Sequence, residues 1–146
     1  MSQRAHILVV AHKTATTQAL LQAVRDRARI GPTRFHLLVP RQAHGLHRLV
    51  DPQDSGDEEA EAVVVAALPR LSEAAGSEVT GSLGDPEPLA AIQDAINLDD
   101  FDEIIISTLP LGVSRWLRLD LVSKTRGLGL PVTHVQAGSR TPEHVG

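Results

Sequence analysis

The sequence predicts a three-layer α/β/α fold built on a five-stranded parallel sheet. Two observations predict it. Short apolar segments rich in β-branched residues alternate along the chain with longer segments of helical periodicity, in the order β-α-β-α-β-α-β-α-β. Helices that connect parallel strands by right-handed crossovers cover both faces of such a sheet. The length of 146 residues suits a single domain, 1–146, in which 137–146 is expected to be a flexible tail.

The first two strands flank an amphipathic helix. HILVVA at 6–11 is an uninterrupted apolar run and is predicted as strand 1. The segment after it begins with threonines that can act as N-caps and ends at Gly31, which indicates helix 1. RFHLLVP at 34–40 is predicted as strand 2.

A long loop over 41–56 is predicted to lead into helix 2. This helix has an acidic first turn from Asp57 and a glycine C-cap at Gly76. Pro69 lies within it, and we expect a kink or an interruption there because proline lacks the backbone donor.

The second half of the chain repeats the alternation. Helix 3 is predicted to begin with Asp85 as N-cap and Pro86 at its first position. The other elements are strand 3, strand 4, helix 4 and strand 5, at 78–84, 101–108, 114–127 and 130–136.

Composition excludes several classes of function. The aromatic residues are Phe35, Phe101 and Trp116 and the net charge is −4, so neither base stacking nor a phosphate-backbone surface favours a nucleic-acid partner. The absence of cysteine excludes disulfides and thiolate metal sites. No apolar stretch approaches the roughly 20 residues of a membrane span, so we expect no membrane association and a cytoplasmic location.

Four stretches resemble the universal stress protein family. They are HILVVA, LGDPEPLAAI, FDEIIIST and GLPVTHV, in the family's order and at suitable separations. The GDP that leads into helix 3 is the most specific of them, and the resemblance covers nearly the whole chain. It implies the Rossmann-like fold of the adenine nucleotide alpha hydrolases, a part in stress response and a homodimer paired through edge strand 5. The strand itself supplies a physical reason for pairing between two chains. LPVTHV is apolar and has few charges that would prevent another strand from pairing with its edge.

The family's ATP-binding motif is missing from the matching segment. ATP-binding members have G-x2-G-x9-G-(S/T) after strand 4, where this chain has Ser107, Pro110, Asp120 and Leu121. Pro110 removes a donor and Asp120 adds negative charge. The family's aspartate at the end of strand 1 is replaced by His12. We therefore predict no cofactor: ATP and AMP are both disfavoured, and ATP is not expected to bind in the family's usual way.

A smaller anion site is predicted where strands 1 and 4 end. Ligands of open parallel sheets bind at the switch point in strand order, and strand 1 is expected to flank it. The candidate residues offer donors or positive charge to a small anion or a phosphorylated ligand: His12, Lys13, Thr108, Gly112, Ser114 and Arg115. The alternative is that Ser114 only caps helix 4 while Arg115 and Arg118 lie on a solvated face. Trp116 is expected to fill a core or interface pocket.

Two other ligands are weighed and set aside. The threonine-rich HKTATTQ at 12–18 resembles the phosphate loop of flavodoxins, but it lacks a glycine, and helix capping explains its threonines. His44 and His47 lie near Asp51 and Asp54, but a solvated loop explains them and no metal is predicted.

Three hypotheses of function remain. The first is a non-enzymatic, ligand-sensing or regulatory protein with a degenerate nucleotide site. The second is an enzyme of nucleotide or phosphate-ester chemistry, which requires His12, Lys13, Thr108 and Arg115 to converge in one pocket. The third is a structural interaction partner without a ligand, for which no pocket is expected at these strand ends.

Overall fold

The computed structural model describes residues 4–41, 57–110 and 112–138, which form five strands and five helices. The strands are β1 (Ala5–Val10), β2 (Thr33–Pro40), β3 (Thr80–Gly84), β4 (Glu103–Thr108) and β5 (Val132–Gln136). The helices are α1 (Gln18–Ile30), α2 (Asp57–Ala75), α3 (Pro88–Leu98), α4 (Arg115–Arg118) and α5 (Leu121–Arg126). None of the helices in this described part combines the length and apolar character that crossing a bilayer requires.

The five strands form one parallel sheet in the order β3-β2-β1-β4-β5. Strand β1 therefore lies between β2 and β4, and its last residue, Val10, is in register with Leu38 and Ile106. Strands β2 and β3 lie on one side of β1, and β4 and β5, which follow them in the sequence, lie on the other side. The switch in strand order therefore lies beside β1. This confirms the predicted α/β fold with a five-stranded parallel sheet.

The sheet is covered on both faces, and each face has its own apolar core. Phe35, Leu37 and Ile105 pack with α1 and α2 on one face, and Leu38 and Ile106 pack with α3 and α5 on the other. Residues 7–10 of β1 alternate between the two cores and are completely buried, which explains the unbroken apolar run in the sequence.

Helix α3 begins two residues later than predicted. Glu87 is its N-cap, and the Glu87 carboxylate accepts hydrogen bonds from the backbone N–H groups of Leu89 (3.0 Å) and Ala90 (3.1 Å). Asp85 instead accepts from the N–H of Glu87 at 2.9 Å, which closes the turn before the helix. The prediction of Asp85 as N-cap is therefore wrong, because two Asp/Glu–Pro pairs follow each other and the second one starts the helix.

The predicted fourth helix is divided into α4 and α5. Asp120 between them has a φ of 59° and a ψ of 38°, which is the left-handed conformation, and this breaks the run of helical dihedral angles. The apolar spacing continues through the break, so periodicity alone did not reveal it.

Pro69 does not interrupt α2, so the predicted interruption is wrong. The helix continues from Asp57 to Ala75, and Gly76 ends it with a φ of 74°. Pro69 and Val65, one turn earlier, are both exposed. The carbonyl of Val65, which loses its helical donor to the proline, is therefore on the side of the helix that water can reach.

Candidate ligand-binding cleft

A cleft of about 390 Å³ lies at the carboxyl ends of the strands. Its walls come from residues at or just after the ends of β1, β2, β3 and β4, together with the residues that lead into α4. This is the edge of the sheet at which open parallel sheets bind ligands, beside the switch in strand order. The prediction that the segments after strands 1 and 4 meet here is correct.

A buried hydrogen bond joins the two sides of the switch point. Thr14, in the loop after β1, and Ser107, near the end of β4, place their hydroxyl oxygens 2.7 Å apart. Thr17 continues the ordering of this loop, since its hydroxyl donates to the carbonyl of Thr14 at 2.9 Å and accepts from the N–H of Leu20. The threonine-rich segment therefore caps α1, as expected, and also fixes the loop against β4.

Three cationic side chains line the cleft. Lys13 follows β1, Arg41 follows β2, and Arg115 begins α4. Arg41 forms an ion pair with Asp57 at the start of α2, whereas neither Lys13 nor Arg115 forms one with any residue in 4–41, 57–110 or 112–138. Lys13 and Arg115 are exposed, so their charges are available to a ligand that enters from solvent.

His12 forms part of the same wall and is half-buried. Burial lowers the pKa of its imidazole below the usual value of 6.5, and Glu59 and Lys13 act on it with opposite signs. The lowered pKa therefore favours the neutral form of the imidazole. Its Nε2 atom is buried and has no hydrogen-bond partner among the residues that the structure describes.

Two hydroxyl groups of the predicted site already have partners. Thr108 Oγ1 lies 2.9 Å from Nε2 of His134 on the neighbouring strand β5. Ser114 Oγ accepts from the N–H of Leu117 at 3.1 Å and so caps α4. The capping role that was one alternative for Ser114 is confirmed. Arg118, in contrast to Arg115, does not line the cleft.

Most of the predicted site residues lie together. Five of the six line the cleft, namely His12, Lys13, Thr108, Ser114 and Arg115. Gly112 does not; it is exposed in the turn before α4, where its φ of 101° requires glycine. Gly112 is therefore placed in the turn and not in the wall. Because a cleft is present, the hypothesis that predicts no pocket is wrong on that point.

The residues discussed as a metal site, His44, His47, Asp51 and Asp54, lie outside the described residues. Within the described ranges, no three histidine, aspartate or glutamate side chains are grouped so that they could hold a metal ion.

Arg41 and Pro86 line the cleft but were not among the predicted residues. Each follows a strand end, Arg41 directly after β2 and Pro86 after β3. The signal was available, because the rule that ligands bind at the carboxyl ends of parallel strands applies to every strand near the switch point. Trp116, expected in an apolar pocket, packs against the second core and also lines the cleft.

The architecture is that of solved universal stress protein structures. One of these, from Archaeoglobus fulgidus in complex with dAMP, has 18% sequence identity, a TM-score of 0.61 and coverage of 92% of this chain and 99% of that chain. A family member from Burkholderia pseudomallei has 18% identity and a TM-score of 0.62, covering 92% of this chain and 97% of that chain. A family protein from Arabidopsis thaliana with AMP bound has 12% identity and a TM-score of 0.61, covering 96% and 97%.

No family model and no curated protein matches the sequence. The likeness is therefore carried by the three-dimensional structure, over at least nine-tenths of the chain in each of these three comparisons. The chain has the universal stress protein fold, as the four resembling stretches of its sequence imply.

Proposed function

We propose that this chain is a ligand-sensing, regulatory protein that binds a mononucleotide, or a phosphorylated molecule of similar size, in the cleft. The observation that carries the proposal is the presence of both Lys13 and Arg115 in the lining of one cleft, each without an ion-pair partner in the described part of the chain. A phosphate monoester carries a charge of roughly −1.5 to −2 at pH 7, which two such cations balance.

The size of the cleft agrees with this ligand class. Its volume of about 390 Å³ falls within the range of about 300–1,000 Å³ that is typical of small-molecule sites. Proteins with the same fold have been solved with dAMP, cAMP and AMP. We extend to this chain the general ability of those proteins to hold a nucleotide.

The proposal does not include the triphosphate grip of the family's ATP-binding members. Pro110 leaves the segment after β4 without one backbone donor, and the side chain of Asp120 places a carboxylate where the motif has glycine. Ser107 is completely buried and its hydroxyl is bonded to Thr14. The backbone N–H groups of this segment are therefore a poor substitute for a glycine-rich phosphate loop. In this proposal the side chains of Lys13 and Arg115 contact the phosphate instead.

Calorimetric titration of the purified full chain with AMP, cyclic AMP, ATP and inorganic phosphate tests the proposal. We expect at least one mononucleotide to bind, and K13A and R115A each to weaken it by roughly tenfold or more, since each removes a charge-assisted contact. R118A is the matched control, because Arg118 is a neighbouring arginine outside the cleft wall. Absence of binding by every nucleotide, or an equal loss in R118A, would contradict the proposal.

Mass spectrometry of small molecules released from the purified protein provides an independent test. We expect a phosphorylated compound to be recovered from the wild-type chain and to be depleted from the K13A/R115A double variant. Recovery of ATP at about one molecule per chain would contradict the view that the triphosphate site is lost.

A second candidate function is an enzyme of nucleotide or phosphate-ester chemistry. It is favoured by the convergence of His12, Lys13, Thr108 and Arg115 on one cleft, and by the lowered pKa of His12, which keeps a proton-accepting imidazole at pH 7. Release of phosphate or nucleoside from AMP by the wild-type chain, and its loss in H12Q, would support this candidate. Unchanged AMP after prolonged incubation would leave the sensing function as the better description.

We also propose that two chains pair through β5. This strand is an edge of the sheet, and Val132 and Val135 on it are only partly buried. Analytical ultracentrifugation is expected to give a dimer for the wild type and a monomer for T133K, which introduces a charge at an exposed position of the edge. A monomeric wild-type protein would contradict this proposal.

A further inference from the structure

We infer that Arg41, held in place by Asp57, makes the cleft selective for a guanine base over an adenine base. The inference rests on the proposed mononucleotide binding and specifies which nucleotide that site prefers. It concerns the end of the cleft next to β2 and β3, away from Lys13 and Arg115 beside β1 and β4.

The guanidinium group of Arg41 is fixed from two directions. Its Nε donates to Oδ1 of Asp57 at 2.5 Å, and its Nη1 donates to the carbonyl of Gly84 at 3.2 Å. The backbone N–H of Arg41 donates to the same carbonyl at 2.9 Å. The guanidinium thus joins the ends of β2 and β3 to the first turn of α2, so its orientation is set before any ligand binds.

Part of this guanidinium remains open to a ligand. Arg41 lines the cleft, and 37% of its side chain is exposed. A guanidinium has five N–H donors and no acceptor, and within the described residues the contacts to Asp57 and Gly84 use two of the five. This end of the cleft therefore presents donors in a fixed, planar arrangement.

The charge of Arg41 indicates what these donors bind. Asp57 compensates its positive charge, whereas Lys13 and Arg115 have no such ion-pair partner in the part of the chain that is described. An anionic phosphate is drawn to the uncompensated cations, and the compensated guanidinium is left for neutral acceptors.

The sheet separates these two groups by a distance that suits a nucleotide. Strand β1 lies between β2 and β4, and neighbouring strands are about 4.8 Å apart, so the ends of β2 and β4 are separated by about 10 Å. Pro40, which is buried, and Pro86, which is partly exposed, also line the cleft, so apolar surface on which a base can pack is present at this end. The phosphate thus lies towards β4 and the base towards β2 and β3.

The edges of the two purines distinguish them at a donor-only site. Guanine presents two neighbouring acceptors, O6 and N7, which pair with the two N–H groups of an arginine. Adenine presents N7 beside the N6 amino group, which is itself a donor and opposes a second donor. Arg41 can therefore donate two hydrogen bonds to guanine but only one to adenine.

Calorimetric titration of the full chain with GMP, IMP, AMP and 7-deaza-GMP tests the inference. We expect GMP to bind on the order of tenfold more tightly than AMP, as one bidentate pair allows. IMP keeps O6 and N7 and is expected to bind like GMP. 7-Deaza-GMP lacks the N7 acceptor and is expected to bind like AMP.

Variants locate the selectivity at Arg41. R41K keeps the charge and loses the planar pair of donors, so the ratio of GMP to AMP affinity is expected to fall to about one. D57N removes the partner that orients Arg41 and is expected to lower the same ratio, which identifies Asp57 as a positioning residue. R34K is the matched control, since Arg34 is exposed at the opposite end of β2 and is expected to leave the ratio unchanged.

The outcomes separate this inference from the proposed function. Equal or tighter binding of AMP by the wild-type chain, or a retained GMP preference in folded R41K, overturns the inference and leaves mononucleotide binding intact. Binding of 7-deaza-GMP as tightly as GMP also overturns it without any variant. Binding of no nucleotide overturns both.

Discussion

Thr14 Oγ1 and Ser107 Oγ lie 2.7 Å apart and are buried, although 93 positions separate the two residues in the sequence. The contact crosses the switch point of the sheet, between the loop after β1 and the end of β4. It places the wall that includes Lys13 at a fixed position relative to the wall that includes Thr108. The shape of the cleft therefore depends on a hydrogen bond between two small hydroxyl residues.

Removal of both hydroxyls is expected to destabilise the protein by less than the sum of the two single removals. T14V or S107A leaves a buried hydroxyl without its partner, which costs about 1–3 kcal/mol. The double variant T14V/S107A leaves no orphan hydroxyl, so its loss of unfolding free energy is expected to be smaller than the sum of the single losses. Urea unfolding of the four chains measures this coupling.

The control for these variants is S123A, because Ser123 is exposed in α5. We expect its unfolding free energy to lie within about 0.5 kcal/mol of the wild type. Strict additivity of T14V and S107A would show that the two hydroxyls do not depend on each other.

The sequence predicted the fold because its signals are local and repeated. The buried strand β1 (Ala5–Val10) nearly coincides with the predicted strand at 6–11, in which residues 7–11 are all apolar, and each helix has an apolar face of ordinary spacing. The structure departs from the predicted helix boundaries at two places where local rules compete. Asp85 and Glu87 both precede a proline, and only the carboxylate of Glu87 reaches the free N–H groups of the helix. At Asp120 a single left-handed residue divides a segment whose periodicity is continuous.

The candidate site was predicted only in part, for a topological reason. His12, Lys13 and Arg115 were found because strands 1 and 4 were expected to be neighbours. Arg41 directly follows strand 2, so the rule for strand ends also applies to it, whereas its contacts with Asp57, sixteen positions later, and with the carbonyl of Gly84 have no local pattern in the sequence. Contacts of this kind become visible only once the strand order and the register are known.

Gly84 is expected to tolerate no side chain. A Cβ atom there would lie 2.8 Å from the Cβ of Ala91 in α3 and 2.9 Å from a methyl group of Leu38. These distances are shorter than van der Waals contact, so α3 must move away from the sheet. G84A is expected to reduce the unfolding free energy by about 1–3 kcal/mol, measured by urea unfolding.

Gly31 provides the matched control for this variant. It ends α1 with extended backbone, φ 176°, and a Cβ atom added there meets no atom of the described residues within 4 Å. G31A is therefore expected to be neutral or to stabilise the protein by up to about 1 kcal/mol. Equal effects of G84A and G31A would contradict the close packing of α3 on β3.

Stability is expected to decrease as the pH falls below neutral. Burial lowers the pKa of His12, His36 and His134 below the value of 6.5. Each imidazole therefore binds a proton less readily in the folded chain than in the unfolded chain. The corresponding stability is fully present above about pH 6.5 and is lost as the pH falls through the lowered folded-state pKa values.

Urea unfolding between pH 8 and pH 5 measures this loss of unfolding free energy. NMR titration of the imidazole signals assigns the loss to individual histidines. His36 is the most informative residue, because its two ring nitrogens each lie 2.7 Å from a hydroxyl oxygen, of Thr80 and of Ser82. Neutral imidazole can accept one hydrogen bond and donate the other, whereas imidazolium can only donate. A His36 pKa above 6.5 in the folded chain would contradict the prediction.

The backbone at Asp120 is expected to restrict which residues this position accepts. Its φ of 59° is a left-handed conformation that glycine and asparagine adopt readily and β-branched residues do not. D120V is therefore expected to lower the unfolding free energy by about 1–2 kcal/mol, whereas D120N and D120G are expected to change it by less than about 0.5 kcal/mol. Because Asp120 makes no capping hydrogen bond with its side chain, the loss of the carboxylate itself has little effect. Urea unfolding of the three variants checks the expected order of their stabilities. A D120V variant as stable as D120N would mean that α4 and α5 can join into the single helix that the sequence predicts.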